Sequence, residues 1–271
     1  MVDIAPTTTP DGRFAYEAVG SPDLPPLVFL HGIGGAARAF RPQLAYFGDR
    51  YRAMAWDMPG YGGSAPLPVT SIATFATALR DFLKGCGAHK PILVGHSIGG
   101  MIVQQLLATD PTAASAVVLA QTSPAFGKSD GDWQKAFIAA RLGPLDRGET
   151  MQSLAPSLVS ELVGDAPDPA GLALARETMA AVPEATYRAT MLALMGFDLR
   201  AALGQIAIPT LVLSGSKDNN APAPMMAKTA TFIPGAKYVE LDGVGHLAGL
   251  ERPAAFNAAI DDFLTNAKRT P

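Results

Sequence analysis

Cysteine is almost absent, with Cys86 alone among 271 residues. A single thiol excludes an intrachain disulfide framework and a thiolate zinc cluster, and it suits a reducing compartment, so a cytoplasmic location is expected. Charge is sparse at 17% and nearly balanced, since 21 Lys and Arg stand against 24 Asp and Glu for a net −3. The basic excess of a phosphate-backbone binder is missing, and no nucleic-acid partner is expected. Long apolar runs are missing too. Ala116-Val117-Val118-Leu119-Ala120 stops at Gln121, far short of the ~20 residues of a membrane helix. Met1 to Pro6 carries neither the positive start nor the apolar stretch of a signal peptide. The expectation is a soluble chain with no membrane partner.

Apolar residues, at 48%, are plentiful enough for a large core and argue against disorder. Residues 13–19 place aromatics at alternate positions before Gly20, a strand of an amino-terminal hairpin. Leu27 to Leu30, Tyr51 to Trp56, Ile92 to Val94 and Ala116 to Ala120 are short apolar runs that lead into turns, which predicts buried strands. Between them, Ile72, Phe75, Leu79, Phe82 and Leu83 share one face of a helix over Ser71 to Cys86. Alternating strands and helices predict an α/β fold with a mostly parallel sheet covered on both faces. The alternation breaks over 122–200, where Pro and Gly punctuate Leu-, Ala- and Met-rich helical pieces. We therefore expect a core domain of 1–121 and 201–271 with a helical cap, 122–200, inserted after the sixth strand. Thr210 to Leu213 and Tyr238 to Leu241 resume the strand pattern, and Pro253 opens a last helix.

Gly95-His96-Ser97-Ile98-Gly99 lies between a predicted strand and a predicted helix. In that context it predicts a nucleophile elbow, a tight turn that pushes Ser97 out at the carboxyl edge of the sheet. Gly95 and Gly99 are needed where side chains would strike the neighbouring strand or helix. A serine hydroxyl is a weak nucleophile and needs a base, which in turn needs an orienting carboxylate. Asp218 follows a predicted strand, and His246 follows the next. Glu240 and Asp242 are alternative orienters, but Glu240 lies within a strand and Asp242 is too close in sequence to His246. His31 and His96 are expected to pack or order loops beside the site, Asp57 to satisfy backbone N–H groups in its Pro-Gly turn, and Cys86 to be inert.

The order Ser97, Asp218, His246, together with His31-Gly32 and Asp57-Met58-Pro59-Gly60-Tyr61-Gly62-Gly63-Ser64, resembles the α/β-hydrolase superfamily over nearly the whole chain. That resemblance implies an α/β-hydrolase fold, a Ser97, Asp218 and His246 triad, and an oxyanion hole made by the backbone N–H groups of Ile33 and Ile98. It implies no cofactor and no metal. Within the superfamily, Gly95 to Met101 looks most like 3-oxoadipate enol-lactonases and related small-molecule esterases, which implies a small ester or lactone as substrate. Carbon-carbon hydrolases of ring-cleavage diketones are the nearest rival. Many of them carry Trp directly after the catalytic His, where this chain has Leu247. Haloalkane dehalogenases and epoxide hydrolases need a carboxylate at the elbow, against Ser97. A ligand-binding protein on the same scaffold is the alternative of another class. For the substrate pocket the cap offers Trp133, Met179, Met191 and Met195, because flexible thioethers suit a pocket that accepts varied shapes.

Overall fold

The computed structural model describes residues 4–127 and 130–267. Its strands are β1 (Thr7–Thr8), β2 (Ala15–Val19), β3 (Pro26–Leu30), β4 (Arg52–Trp56), β5 (Ile92–His96), β6 (Ala116–Ala120), β7 (Thr210–Gly215) and β8 (Lys237–Leu241). They form one sheet in the order β1-β2-β4-β3-β5-β6-β7-β8. The β1–β2 hairpin and the β2–β4 pair are antiparallel, and every pair from β4 onward to β8 is parallel. This is the mostly parallel α/β sheet that the alternating pattern predicts.

The apolar runs are continuous because both faces of the sheet are buried. Val28, Leu30, Leu93, Val117, Leu119 and Val212 enter one core. Their neighbours Leu27, Phe29, Ile92, Val94, Val118, Leu211 and Leu213 enter the other. The flanking helices are α1 (Arg41–Phe47), α2 (Ile72–Gly85) and α3 (Ile98–Thr109). On α2 the stripe Ile72, Phe75, Leu79, Phe82 and Leu83 is buried as its spacing requires. Ser71 and Thr74 close a capping box at its start, each side chain accepting the other's backbone N–H.

Between β6 and β7 the described residues form α4 (Asp132–Asp146), α5 (Met151–Ser160), α6 (Pro169–Ala180) and α7 (Glu184–Leu192). Asp168 caps α6 by accepting the Gly171 N–H, with Pro169 in the first turn. The apolar side chains Leu154, Val159, Met179, Tyr187 and Met191 continue the core on the α2–α3 side of the sheet. The chain then adds α8 (Ala223–Thr231), the single turn α9 (Ala248–Glu251) and α10 (Pro253–Ala267). Phe256, Ile260, Phe263 and Leu264 bury one face of α10. No helix among the described residues is long and apolar enough to cross a membrane.

Candidate active site

Ser97 joins β5 to α3 at φ 54° and ψ −123°, outside the regions a side-chain-bearing residue ordinarily adopts. The turn is held from both sides, with the Ser97 N–H on the Ala120 carbonyl at 3.0 Å and the Thr122 hydroxyl on the Ser97 carbonyl at 2.6 Å. The elbow glycines meet the demand inferred from the motif. A β-carbon on Gly95 would stand 2.6 Å from the Gly100 α-carbon, and one on Gly99 would stand 2.5 Å from the Leu30 carbonyl oxygen. Strand, turn and helix can approach this closely only without those methyl groups.

The loops after β7 and β8 bring two more side chains to Ser97. His246 Nε2 lies 3.0 Å from Ser97 Oγ, and its Nδ1 lies 2.8 Å from Asp218 Oδ2. The other Asp218 oxygen accepts the backbone N–H groups of Asn220 at 2.8 Å and Ala221 at 3.0 Å. Burial by itself would raise the Asp218 carboxyl. The adjacent His246 imidazole and these hydrogen bonds outweigh it, so the pKa lies below the usual carboxylate value. A carboxylate accepting at Nδ1 leaves Nε2 free to accept a proton from Ser97. Glu240 instead accepts from the Tyr238 hydroxyl at 3.0 Å, and Asp242 from the Ser216 hydroxyl at 3.2 Å, so both are engaged away from the imidazole.

The remaining histidines beside the site are structural donors. His31 Nε2 accepts the Met58 N–H at 3.0 Å, which places its proton on Nδ1 for the Gly32 carbonyl at 2.8 Å. The loops after β3 and β4 are thereby joined, and burial lowers the His31 pKa. His96 Nε2 donates to the His246 carbonyl at 2.6 Å. Burial first, and then the neighbouring His246, push its pKa down to about 3. Asp57 accepts the Gly63 N–H across its own turn and the Ala37 N–H from the segment after β3. Cys86 is buried, with a thiol pKa raised by that burial.

A cavity of about 920 Å³ opens beside Ser97 and His246, with Ile33, Met101, Leu158 and Tyr187 in its wall. Ile33 borders it, and Ile98 is buried at the first turn of α3. Among the described residues neither the Ile33 nor the Ile98 backbone N–H has a hydrogen-bond partner. Of the four cap residues expected in the pocket, Met179, Met191 and Trp133 line the cavity, Trp133 at its exposed rim. Met195 does not. Helix α7 ends at Leu192, so the spacing that relates 191 to 195 on a helix is lost in the following turn, and Met195 packs against the apolar core. The cavity wall also carries Arg141, Glu161, Arg200 and Lys228. Among the described residues no group of three or more His, Cys, Asp or Glu side chains could hold a metal ion.

Residues 27–259 match the model of the Alpha/beta hydrolase family. The chain belongs to that family. Among the relatives of this hydrolase, the pimeloyl-[acyl-carrier protein] methyl ester esterase of Legionella pneumophila is 27% identical over 88% of this chain and 95% of its own. The 3-oxoadipate enol-lactonase 2 of Acinetobacter baylyi is 26% identical over 94% of both chains. The solved enol-lactonase of Burkholderia xenovorans LB400 superposes with a TM-score of 0.81 at 25% identity, covering 96% of this chain and 100% of that one.

Two polar residues at the site escape the motif reading. Gln121, directly after β6, is fully buried at φ 41°, and both its amide atoms lack a hydrogen-bond partner among the described residues. Glu251, in α9, is 2% exposed. In sequence the first merely ends an apolar run, and the second resembles any surface carboxylate near a helix start. No local pattern marks either.

Proposed function

We propose that this protein is a serine hydrolase that cleaves a small-molecule carboxylic ester or lactone through an acyl-enzyme on Ser97. The observation that carries the reading is the continuous chain from Ser97 Oγ through His246 to Asp218, at 3.0 and 2.8 Å. As Ser97 Oγ attacks the carbonyl carbon, His246 Nε2 takes its proton, and Asp218 stabilises the imidazolium and holds its tautomer. The carbonyl oxygen becomes an oxyanion that accepts from the Ile33 and Ile98 N–H groups. Two such donors aimed at developing charge are each worth ~10²- to ~10³-fold in rate. Collapse breaks the bond to the leaving oxygen, which takes the proton from His246. In a lactone that oxygen stays tethered to the acyl group. Water, deprotonated by His246, then attacks the acyl carbon and releases the carboxylic acid and Ser97.

In this reading residues 122–200 act as a cap that shapes the pocket while the sheet edge carries the chemistry. The enol-lactonase and methyl ester esterase relatives support ester-type chemistry on this scaffold. The test is turnover of chromogenic short-chain esters and enol-lactones, with mass spectrometry of the protein after an organophosphonate ester. The reading expects hydrolysis and a single phosphonyl adduct on Ser97. Ligand-induced stabilisation without turnover or adduct would instead make the protein a binding module, and turnover of a vinylogous diketone alone would make it a carbon-carbon hydrolase.

A further inference from the structure

Glu251 is a buried carboxylate that forms no ion pair among the described residues. Its charge is met by backbone: Oε2 accepts the N–H groups of Gly245 at 2.9 Å and Gly164 at 2.7 Å, and Oε1 accepts that of Leu247 at 2.8 Å. Gly245 and Leu247 are the two residues that flank His246. Gly164 belongs to the segment between α5 and α6, in the insertion. One side chain therefore grips the N–H groups of both residues that flank His246 and ties them to the insertion.

The surrounding contacts leave little play. The His246 N–H donates to the Leu162 carbonyl at 2.6 Å, and the Asp165 N–H to the Gly243 carbonyl at 2.7 Å. A β-carbon on Gly164 would stand 2.4 Å from the Gly243 carbonyl oxygen, and one on Gly245 would stand 2.4 Å from the Leu162 carbonyl oxygen. The two segments thus meet backbone to backbone. Arg252, next to Glu251, adds hydrogen bonds to the Asp165 and Ala166 carbonyls.

We propose that Glu251 is a positioning residue that latches the 162–165 segment onto the His246 loop, so that the seating of the insertion sets the alignment of the imidazole between Ser97 and Asp218. This rests on His246 being the general base, as proposed above. A charged acceptor shared by three N–H groups is strong and directional. Losing it frees the N–H groups of both residues that flank His246. Catalysis depends steeply on such placement, since a misplacement of about 1 Å can cost ~10²-fold.

The test uses Glu251→Gln, which replaces one acceptor oxygen by an amide donor facing N–H groups, and Glu251→Asp, which keeps the charge but withdraws it by one methylene. The low-field proton NMR resonance of the His246 Nδ1–H on Asp218 is read in the wild type and both variants and requires no turnover. Kinetics on a short-chain ester follow. The inference expects a folded Glu251→Gln in which that resonance is broadened or lost, kcat falls at least tenfold, KM changes little and the pH profile of kcat shifts, with Glu251→Asp partly restoring each. If Glu251→Gln does not fold, the same changes in smaller degree are required of Glu251→Asp. A folded variant with a wild-type resonance and a kcat within twofold would overturn the inference and leave the hydrolase reading intact. A wild type whose turnover survives Ser97→Ala would overturn the hydrolase reading, while the resonance would still report whether Glu251 aligns His246.

Discussion

His96 Nε2 and the carbonyl oxygen of His246 lie 2.6 Å apart, so the residue directly before Ser97 holds the main chain of the imidazole that Ser97 faces. A carbonyl only accepts, so His96 carries a proton on Nε2; burial first, and then the neighbouring His246, keep the ring neutral against the pull of this bond. The arrangement gives the native state a group that resists protonation.

That resistance makes stability depend on acid. The pKa of His96 falls to about 3 in the folded chain, against about 6.5 for an unperturbed imidazole. Between those values the unfolded state binds a proton that the native state refuses, so stability is lost as pH drops below 6.5. At pH 5 the loss from this one group is about 2 kcal/mol. Asp218, lowered when folded, has linkage of the same sign in a more acidic window. Its contribution is present above the unfolded carboxylate pKa and disappears as pH falls through the folded one. His96→Gln, which keeps a donor for the carbonyl, should flatten denaturant midpoints between pH 7 and 5, and an equally steep decline would contradict the neutral His96.

Ser97→Ala should leave circular dichroism and thermal midpoint near wild type while kcat falls at least ~10³-fold, because only binding and the oxyanion donors remain. Wild-type turnover in the folded variant would remove Ser97 from the mechanism.

Asp218→Asn tests the orienter. The amide can present N–H to Nδ1 and so favour the wrong tautomer, and a kcat loss of ~10⁴-fold is expected with little change in KM. Survival of activity here, with collapse on altering Glu240 or Asp242, would assign the role to another acid.

Arg141 carries a prediction about substrate charge. Its guanidinium stacks on Phe137, 3.5 Å from the ring centroid, and its hydrogen bonds, 3.4 Å to the Phe137 carbonyl and 3.5 Å to Asn220, are long. Burial lowers its pKa, a cost that an anion in the cavity would offset. An ester with a free terminal carboxylate should be preferred over its uncharged analogue. Because a hydrogen bond to a charged group is worth about 1.5–3 kcal/mol, Arg141→Met should cut the ratio of their kcat/KM values by about tenfold or more. Equal ratios in the two proteins would show that Glu161, in the same wall, already neutralises the site.

Acyl-chain preference should respond to Met179 and Met191, which line the cavity, and not to Met195, which packs outside it. Each methylene in an apolar pocket shifts discrimination by about 1–3 kcal/mol, enough to reorder a series of acyl lengths. kcat/KM values across that series for Met179→Ala, Met191→Ala and Met195→Ala decide the matter, and reordering by Met195→Ala alone would place the pocket elsewhere.

The local elements were determined by sequence alone. Apolar runs ending in turns give the strands, the Ile72 to Leu83 stripe with Ser71 before it gives α2, and glycine at 95 and 99 around Ser97 gives the elbow, because each depends on residues a few positions apart. The order Ser97, Asp218, His246 was legible for the same reason, each residue standing just beyond a recognisable strand. Tertiary structure alone decided the rest. His96 reaches His246 across 150 positions and Glu251 reaches Gly164 across 87, and neither separation carries a periodic or motif signal. Met191 and Met195 look equivalent in the sequence until α7 stops between them. Hydrogen bonds and pocket walls form between whatever backbone and side chains the packed sheet brings together, and that depends on how distant segments dock rather than on spacing along the chain.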